Sequence, residues 1–189
     1  MGIRSILETK PVRVLFQDEA RFGRINDPRH CWAGRGIRPI VHKQIIRQYT
    51  YVYGAFSPMD GAMDSLILPD MYTGTMNVFL KEVSLRHPDE LILMVMDGAP
   101  CHRSGLLEVP PDMEILRLPP YCPQLNPSEN MWDEIREKAF ANRSFRSMDH
   151  LEDHLCKTLQ IYENNPETVQ SISQWKWIAD PIHSFFIAS

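Results

Sequence analysis

Two short apolar runs each end in an aspartate: Val14-Leu15-Phe16-Gln17-Asp18 and Leu91-Ile92-Leu93-Met94-Val95-Met96-Asp97. Runs of this kind read as strands buried on both faces. An aspartate at the end of each would put two carboxylates at the rim of a sheet, where neighbouring strands can hold a metal ion between them. A third acid, Glu129, follows in Tyr121-Cys122-Pro123-Gln124-Leu125-Asn126-Pro127-Ser128-Glu129. Cleaving a phosphodiester requires an activated water or hydroxyl and stabilisation of charge on the leaving oxygen. Two divalent ions about 3.5–4 Å apart supply both. Mg²⁺ prefers oxygen ligands and keeps several waters, so a few carboxylates suffice. In such a site Asp18 would bridge the ions, Asp97 would complete the shell of one, and Glu129 that of the other.

Each acid has a plainer reading. Asp97-Gly98 is a strong turn pair. Asn126-Pro127-Ser128-Glu129 has the spacing of a capping box, with the glutamate reaching back to the cap. Glu19, directly after Asp18, is an alternative ligand, although in an extended strand it faces the opposite side. Residue pattern alone leaves these alternatives open.

The elements that must position the acids follow from periodicity and turn signals. Residues 1–11 read as a tail or linker closed by Pro11, and Val12 to Asp18 as the first strand. Further strands are predicted around His30-Cys31-Trp32-Ala33, through Tyr49–Phe56 and through Met63–Leu68. The turn signals Gly34-Arg35-Gly36 and Ser57-Pro58-Met59-Asp60-Gly61 separate them. Met76, Phe79, Leu80 and Val83 give Thr75–Arg86 a helical period, ended by Pro88. The strand Leu91–Asp97 is next, then a weaker one, Glu114–Leu118. Asn126 with Pro127 opens a helix running to about Asn142, and another spans Met148 to about Tyr162. The segment Trp175–Phe186 is aromatic and irregular, suited to folding back on the core or packing on a partner. Antiparallel hairpins first and strand-helix alternation later predict an α/β fold, a mixed sheet with helices on its faces. The expected division is a tail over 1–11, a main domain over 12–165 and an extension over 166–189.

With 189 residues, the chain has the size of one domain. No apolar stretch approaches the roughly 18 residues of a membrane span, and residues 1–6 lack the apolar core of a signal peptide. A cytoplasmic location is expected. Cys31, Cys101, Cys122 and Cys156 are widely spaced and match no usual zinc spacing, so they read as reduced thiols. The net charge of −4 conceals an asymmetry. Between Arg21 and Arg47 seven basic residues (among them Arg35 and Lys43) accompany one acid, Asp27; from Arg146 onward three basic residues face six acids. A basic early segment is the electrostatic footprint of a polyanion partner, or simply a solvated hairpin.

The wording around the acids is more specific. Gln17-Asp18-Glu19-Ala20-Arg21-Phe22-Gly23-Arg24, Met96-Asp97-Gly98-Ala99-Pro100-Cys101-His102-Arg103-Ser104 and Leu118–Trp132 resemble the three acidic motifs of the DDE transposases of bacterial insertion sequences related to the mariner superfamily. The separation of 32 positions between Asp97 and Glu129 suits that group. The likeness runs from about Val12 to Tyr162 and includes Trp32-Ala33-x-x-Gly36.

The resemblance implies an RNase H-like fold, with two Mg²⁺ or Mn²⁺ ions held by Asp18, Asp97 and Glu129. It implies cleavage and joining of double-stranded DNA at transposon ends, and, by analogy, a homodimer. His102 stands where the family often has a histidine, suited to orienting a phosphate or packing behind the strand. Arg21 and Arg24, directly after the first acid, read as phosphate contacts or as ion-pair partners of nearby acids. Arg35 and Lys43 are further candidates for DNA contact. Trp132, near Met131 and Ile135, reads as core. Members of the group normally begin with helix-turn-helix modules, and residues before Pro11 are too few for one. A DNA reader is therefore expected upstream or on another chain, with weak, salt-sensitive DNA binding by this chain alone. The competing readings are an RNase H-fold nuclease that only hydrolyses, and a catalytically idle domain binding DNA or a partner.

Overall fold

The computed structural model describes residues 10–25, 28–98, 105–120, 122, 125–178 and 180. Strands β1 (Val12–Ile25), β2 (Ile45–Phe56), β3 (Met63–Leu68), β4 (Leu91–Met96) and β5 (Met113–Arg117) form one sheet in the order β3-β2-β1-β4-β5. The hairpins β1–β2 and β2–β3 are antiparallel, whereas β4 lies parallel to β1 and β5 parallel to β4. Helix α1 (Thr73–Arg86) makes the crossover from β3 to β4, as parallel pairing demands. Helices α2 (Ser128–Ile135), α3 (Met148–Glu163) and α4 (Pro166–Ser173) follow β5.

Strand alternation divides the core between the two faces. Leu15, Tyr53, Ala55, Ile92 and Met94 pack on Met76, Phe79, Leu80 and Val83 of α1. On the other face Ala20, Phe22, Val52 and Phe56 meet Trp132, Leu151, Leu155 and Val169 of α2, α3 and α4. The expected mixed sheet with helices on both faces is what forms.

Four elements depart from the sequence reading. First, β1 does not stop at Asp18. It continues to Ile25 because β2 pairs with it from Phe16↔Phe56 as far as Ile25↔Ile45. Second, the strand expected at His30-Cys31-Trp32-Ala33 is absent. Residues 28–44 form an irregular arm with a turn at 35–36, and Trp32 is fully exposed. Pro28, Pro39 and two glycines deny this segment a pairing partner. Third, the helix expected to reach Asn142 is α-helical only to Ile135 and continues as a π turn over Arg136–Phe140. Fourth, α4 was not foreseen, although Asn165 caps Thr168 N–H and Pro166 stands at the first helical position. Beyond it, Trp175 and Ile178 fold back on Val14, Phe16 and Val95. No helix among the described residues is long and apolar enough to cross a membrane.

Candidate active site

Val12 pairs with Leu91 and Phe16 with Val95, in parallel register. Two more residues along each chain bring Asp18 level with Asp97, just past the last paired position. Alternation then gives Asp97 the face of Val95, which packs with Val14 and Phe16. That is also the face of Asp18. The two aspartates thus flank the point where β1 and β4 diverge. Glu19, on the opposite face by the same rule, is excluded from sharing that arrangement.

The third motif is fastened to the same place. Ser128 Oγ donates to the carbonyl of Phe16 at 3.0 Å, and Asn126 Nδ2 donates to that of Gln17 at 3.1 Å. Asn126 Oδ1 in turn accepts from Ser128 N–H at 3.2 Å. Both side chains are buried, so these bonds lock the start of α2 against β1 just before Asp18. The capping box foreseen for this motif is replaced by that arrangement. Pro127, not Asn126, occupies the cap position of α2, and no side chain caps it.

Glu129 projects from the first turn of α2 and is exposed. It makes no hydrogen bond or ion pair among the described residues. The β1–β4 register and the bonds of Asn126 and Ser128 to β1 direct the three acids to one end of the sheet, but they do not close on each other. Among the described residues no three His, Cys, Asp or Glu side chains are grouped tightly enough to hold a metal ion. Asp18 and Asp97 are level at the ends of their strands, and Glu129 is exposed on the first turn of α2.

The electrostatics of the pair are distinctive. Burial pushes the Asp18 carboxyl up to about 7, helped by the charges of Glu19 and Asp97. A backbone hydrogen bond from Glu19 and the indole of Trp132 pull the other way. A desolvated carboxylate facing a second one is a poor place for two negative charges and a good one for a divalent cation with oxygen preference. The donor set therefore fits Mg²⁺ or Mn²⁺.

Residues that sequence reasoning passed over complete the site. Trp132 is core, as expected, but its Nε1 also donates to Asp18 Oδ2 at 3.1 Å. Gly54 lies opposite Asp18 in β2, and a Cβ there would stand 2.6 Å from the Trp132 ring. Only glycine leaves room for the indole. The spacing of Trp132, three residues after Glu129 on a helix, was the available signal.

The proposed DNA contacts meet different fates. Arg21 stacks on Tyr49, 4.5 Å from the ring centroid. Arg24 is occupied by the fold itself: its guanidinium donates to the carbonyls of Phe145 and Arg146 and to Gln48 Oε1 at 2.6–3.0 Å. Arg35 and Lys43 are exposed on the 28–44 arm, away from regular structure. His102 and Cys101 lie outside the described residues. Cys31, Cys122 and Cys156 are free thiols.

Residues 13–152 match the family described as DDE superfamily endonuclease. The chain belongs to that family. A curated relative from Sinorhizobium fredii (strain NBRC 101917 / NGR234), uncharacterized protein y4pE/y4sA, is 31% identical over 130 residues, which span 68% of this chain and 96% of that protein. Among solved structures, the Mos1 transposase paired-end complex with left transposon end is similar with a TM-score of 0.57 at 15% identity, over 86% of this chain and 56% of that one. The mariner Mos1 paired end complex with Mg gives 0.59 at 15% identity, over 86% and 53%. The chain spans about half the length of the solved transposases it matches. At such identity the likeness shows the fold, which is RNase H-like.

Proposed function

We propose that this chain cuts DNA at transposon ends by metal-dependent phosphoryl transfer and joins the freed 3′ ends to a target. The observation that carries this reading is the pairing of Asp18 with Asp97 at the divergence of two parallel strands, with the Asp18 charge disfavoured by burial and by its neighbour. Bound Mg²⁺ or Mn²⁺, as two ions, would activate the attacking oxygen and stabilise charge on the leaving one. Asp18 and Asp97 offer oxygens on backbone held by the sheet. Glu129 would supply the third carboxylate from a helix start whose residues Asn126 and Ser128 are hydrogen-bonded to β1.

Family membership supports the reading, as does the likeness to transposases solved in paired-end complexes with Mn and Mg. The partners that follow are double-stranded transposon ends and target DNA. A second copy of the chain would serve the second end, and a helix-turn-helix reader would lie upstream or on another chain. The protein would work in the cytoplasm, at the nucleoid when on DNA.

The test is incubation with Mn²⁺, a duplex carrying 3′-OH ends and a circular target. The expected products are nicked circles and circles joined to the duplex, both lost in Asp97→Asn. Nicking without joining would reduce the activity to hydrolysis. Equal products from the parent and Asp97→Asn would remove the site from the chemistry.

A further inference from the structure

We propose that the cleft between the outer half of β1 and the turn after α2 binds the backbone phosphates of a nucleic-acid strand. As a continuation of the catalytic site it rests on the function proposed above. The cleft has a volume of about 270 Å³, and four arginines line it: Arg21, Arg29, Arg136 and Arg143, with Tyr49 and Phe140 among its walls. They come from three separate parts of the chain, so no single basic run accounts for the convergence. Among the described residues only Arg136 has a carboxylate partner, the largely exposed Asp133 at 3.5 Å. Four guanidiniums sharing one concavity repel one another unless an anion joins them.

The arginines are held in ways that leave their donors available. Arg21 lies over the Tyr49 ring at 4.5 Å, and Arg136 over the Phe22 ring at 5.6 Å. Stacking fixes the guanidinium plane and leaves its N–H edges for a bidentate acceptor such as phosphate. Arg24 provides the contrast on the same strand, since backbone carbonyls take up its donors.

The backbone around the cleft is built to bring these residues together. The π turn Arg136–Phe140 interrupts the helix there, a local irregularity often found at functional sites. Directly after it Asn142 adopts a left-handed φ of 58°. Its amide accepts from Arg29 N–H at 2.7 Å and donates to the Arg29 carbonyl at 3.1 Å. These two hydrogen bonds pin the start of the 28–44 arm against the turn, and Arg29 and Arg143 line the same cleft.

Location assigns the ligand. Phe22, a wall of the cleft, is four residues beyond Asp18 on the same face of β1, roughly 13 Å along an extended strand. Phe22 packs edge-on against Trp132 at 6.4 Å, and Trp132 bonds Asp18. A strand whose scissile phosphate sat at the aspartates would carry its next phosphates over this cleft.

The experiment measures binding of a fluorescent DNA duplex in EDTA, so that cleavage plays no part, across a NaCl series. The parent is compared with Arg29→Gln/Arg143→Gln, both exposed positions, and with Lys81→Gln on α1, outside the cleft. The double variant is expected to bind at least about tenfold more weakly at low salt. Its log–log salt dependence should be shallower by about 1.8, two phosphate contacts' worth on a duplex. Lys81→Gln should follow the parent. A double variant with the parent's slope, or a Lys81→Gln chain equally weakened, overturns the cleft while leaving Mn²⁺-dependent nicking untouched. Calorimetry with pyrophosphate separates the other source of the same chemistry. Saturable one-to-one binding of pyrophosphate, with the DNA slope unchanged in the double variant, would assign the cleft to a small anion instead.

Discussion

Trp132 Nε1 donates to Asp18 Oδ2 at 3.1 Å, tying a buried ring of α2 to the first carboxylate of the site. The ring is held edge-on by Phe56 at 5.1 Å and Phe22 at 6.4 Å, so packing decides where the N–H points. Helix α2 therefore reaches Asp18 through Trp132, one turn after the exposed Glu129 at its start. The bond favours the charged form of Asp18, against burial and the charges of Glu19 and Asp97.

Removing only that donor gives the first prediction. Trp132→Phe keeps an aromatic ring in the core and leaves Asp18 harder to ionise. A hydrogen bond to a carboxylate is worth roughly 1–2 kcal/mol, about one pH unit. The pH profile of Mn²⁺-dependent strand cutting is expected to move up by about that much, with activity recovering at higher pH. A reduced rate with an unmoved profile would mean that the indole merely fills space.

Gly54 faces the same ring from β2. A Cβ there would lie 2.6 Å from the Trp132 ring and 2.8 Å from that of Phe56, and both rings are buried on all sides. Gly54→Ala is expected to destabilise the fold by about 1–3 kcal/mol, the usual cost of overpacking. It should also shift the pH profile in the direction of Trp132→Phe, because the indole must retreat from Asp18. Urea unfolding together with the profile checks both. A variant as stable as the parent would show that the rings yield at little cost.

Gln17 precedes Asp18 and is fully buried, yet its side-chain amide has no hydrogen-bond partner among the described residues. Burying an unpaired amide costs on the order of 1–3 kcal/mol. Gln17→Met keeps the shape and drops the polar atoms, so it should stabilise the chain by about 1 kcal/mol or more in thermal or urea unfolding. Loss of stability instead would reveal a partner for that amide.

The sequence made the sheet legible where apolar runs were long and uninterrupted, as in β2, β3 and β4, and where periodicity was clean, as in α1 and α3. It misplaced the end of β1 because polar Gln17, Asp18 and Glu19 look like a terminus. Only the cross-strand partners Ala55, Gly54 and Tyr53 reveal that pairing continues. The phantom strand at His30–Ala33 arose from Trp32, an apolar residue with nothing to pack on. The family was readable from the motif wording around the acids. The indole bond, the glycine that admits it and the occupation of Arg24 by carbonyls depend on contacts between residues up to 122 positions apart, which no local pattern encodes.

The raised Asp18 carboxyl makes stability depend on pH with a definite sign. Its folded value is about 7 against an ordinary 3.8, so between those limits the folded chain holds a proton that the unfolded chain has released. Its contribution to stability is therefore greatest at low pH and is lost as pH rises through 7. Asp18→Asn removes the charge. The variant should be more stable than the parent at pH 8, by a few kcal/mol at most, with the difference vanishing near pH 4. Mn²⁺ should act oppositely on the parent, raising its melting temperature at pH 8 and much less at pH 5, where a proton competes for the same oxygens. Asp18→Asn should gain little at either pH. Thermal unfolding of both chains, with and without Mn²⁺, checks all of this, because the parent-minus-variant difference cancels the titrating groups that are not coupled to Asp18. If Mn²⁺ stabilised the two chains equally at pH 8, the cation would be binding elsewhere and Asp18 would not be its ligand.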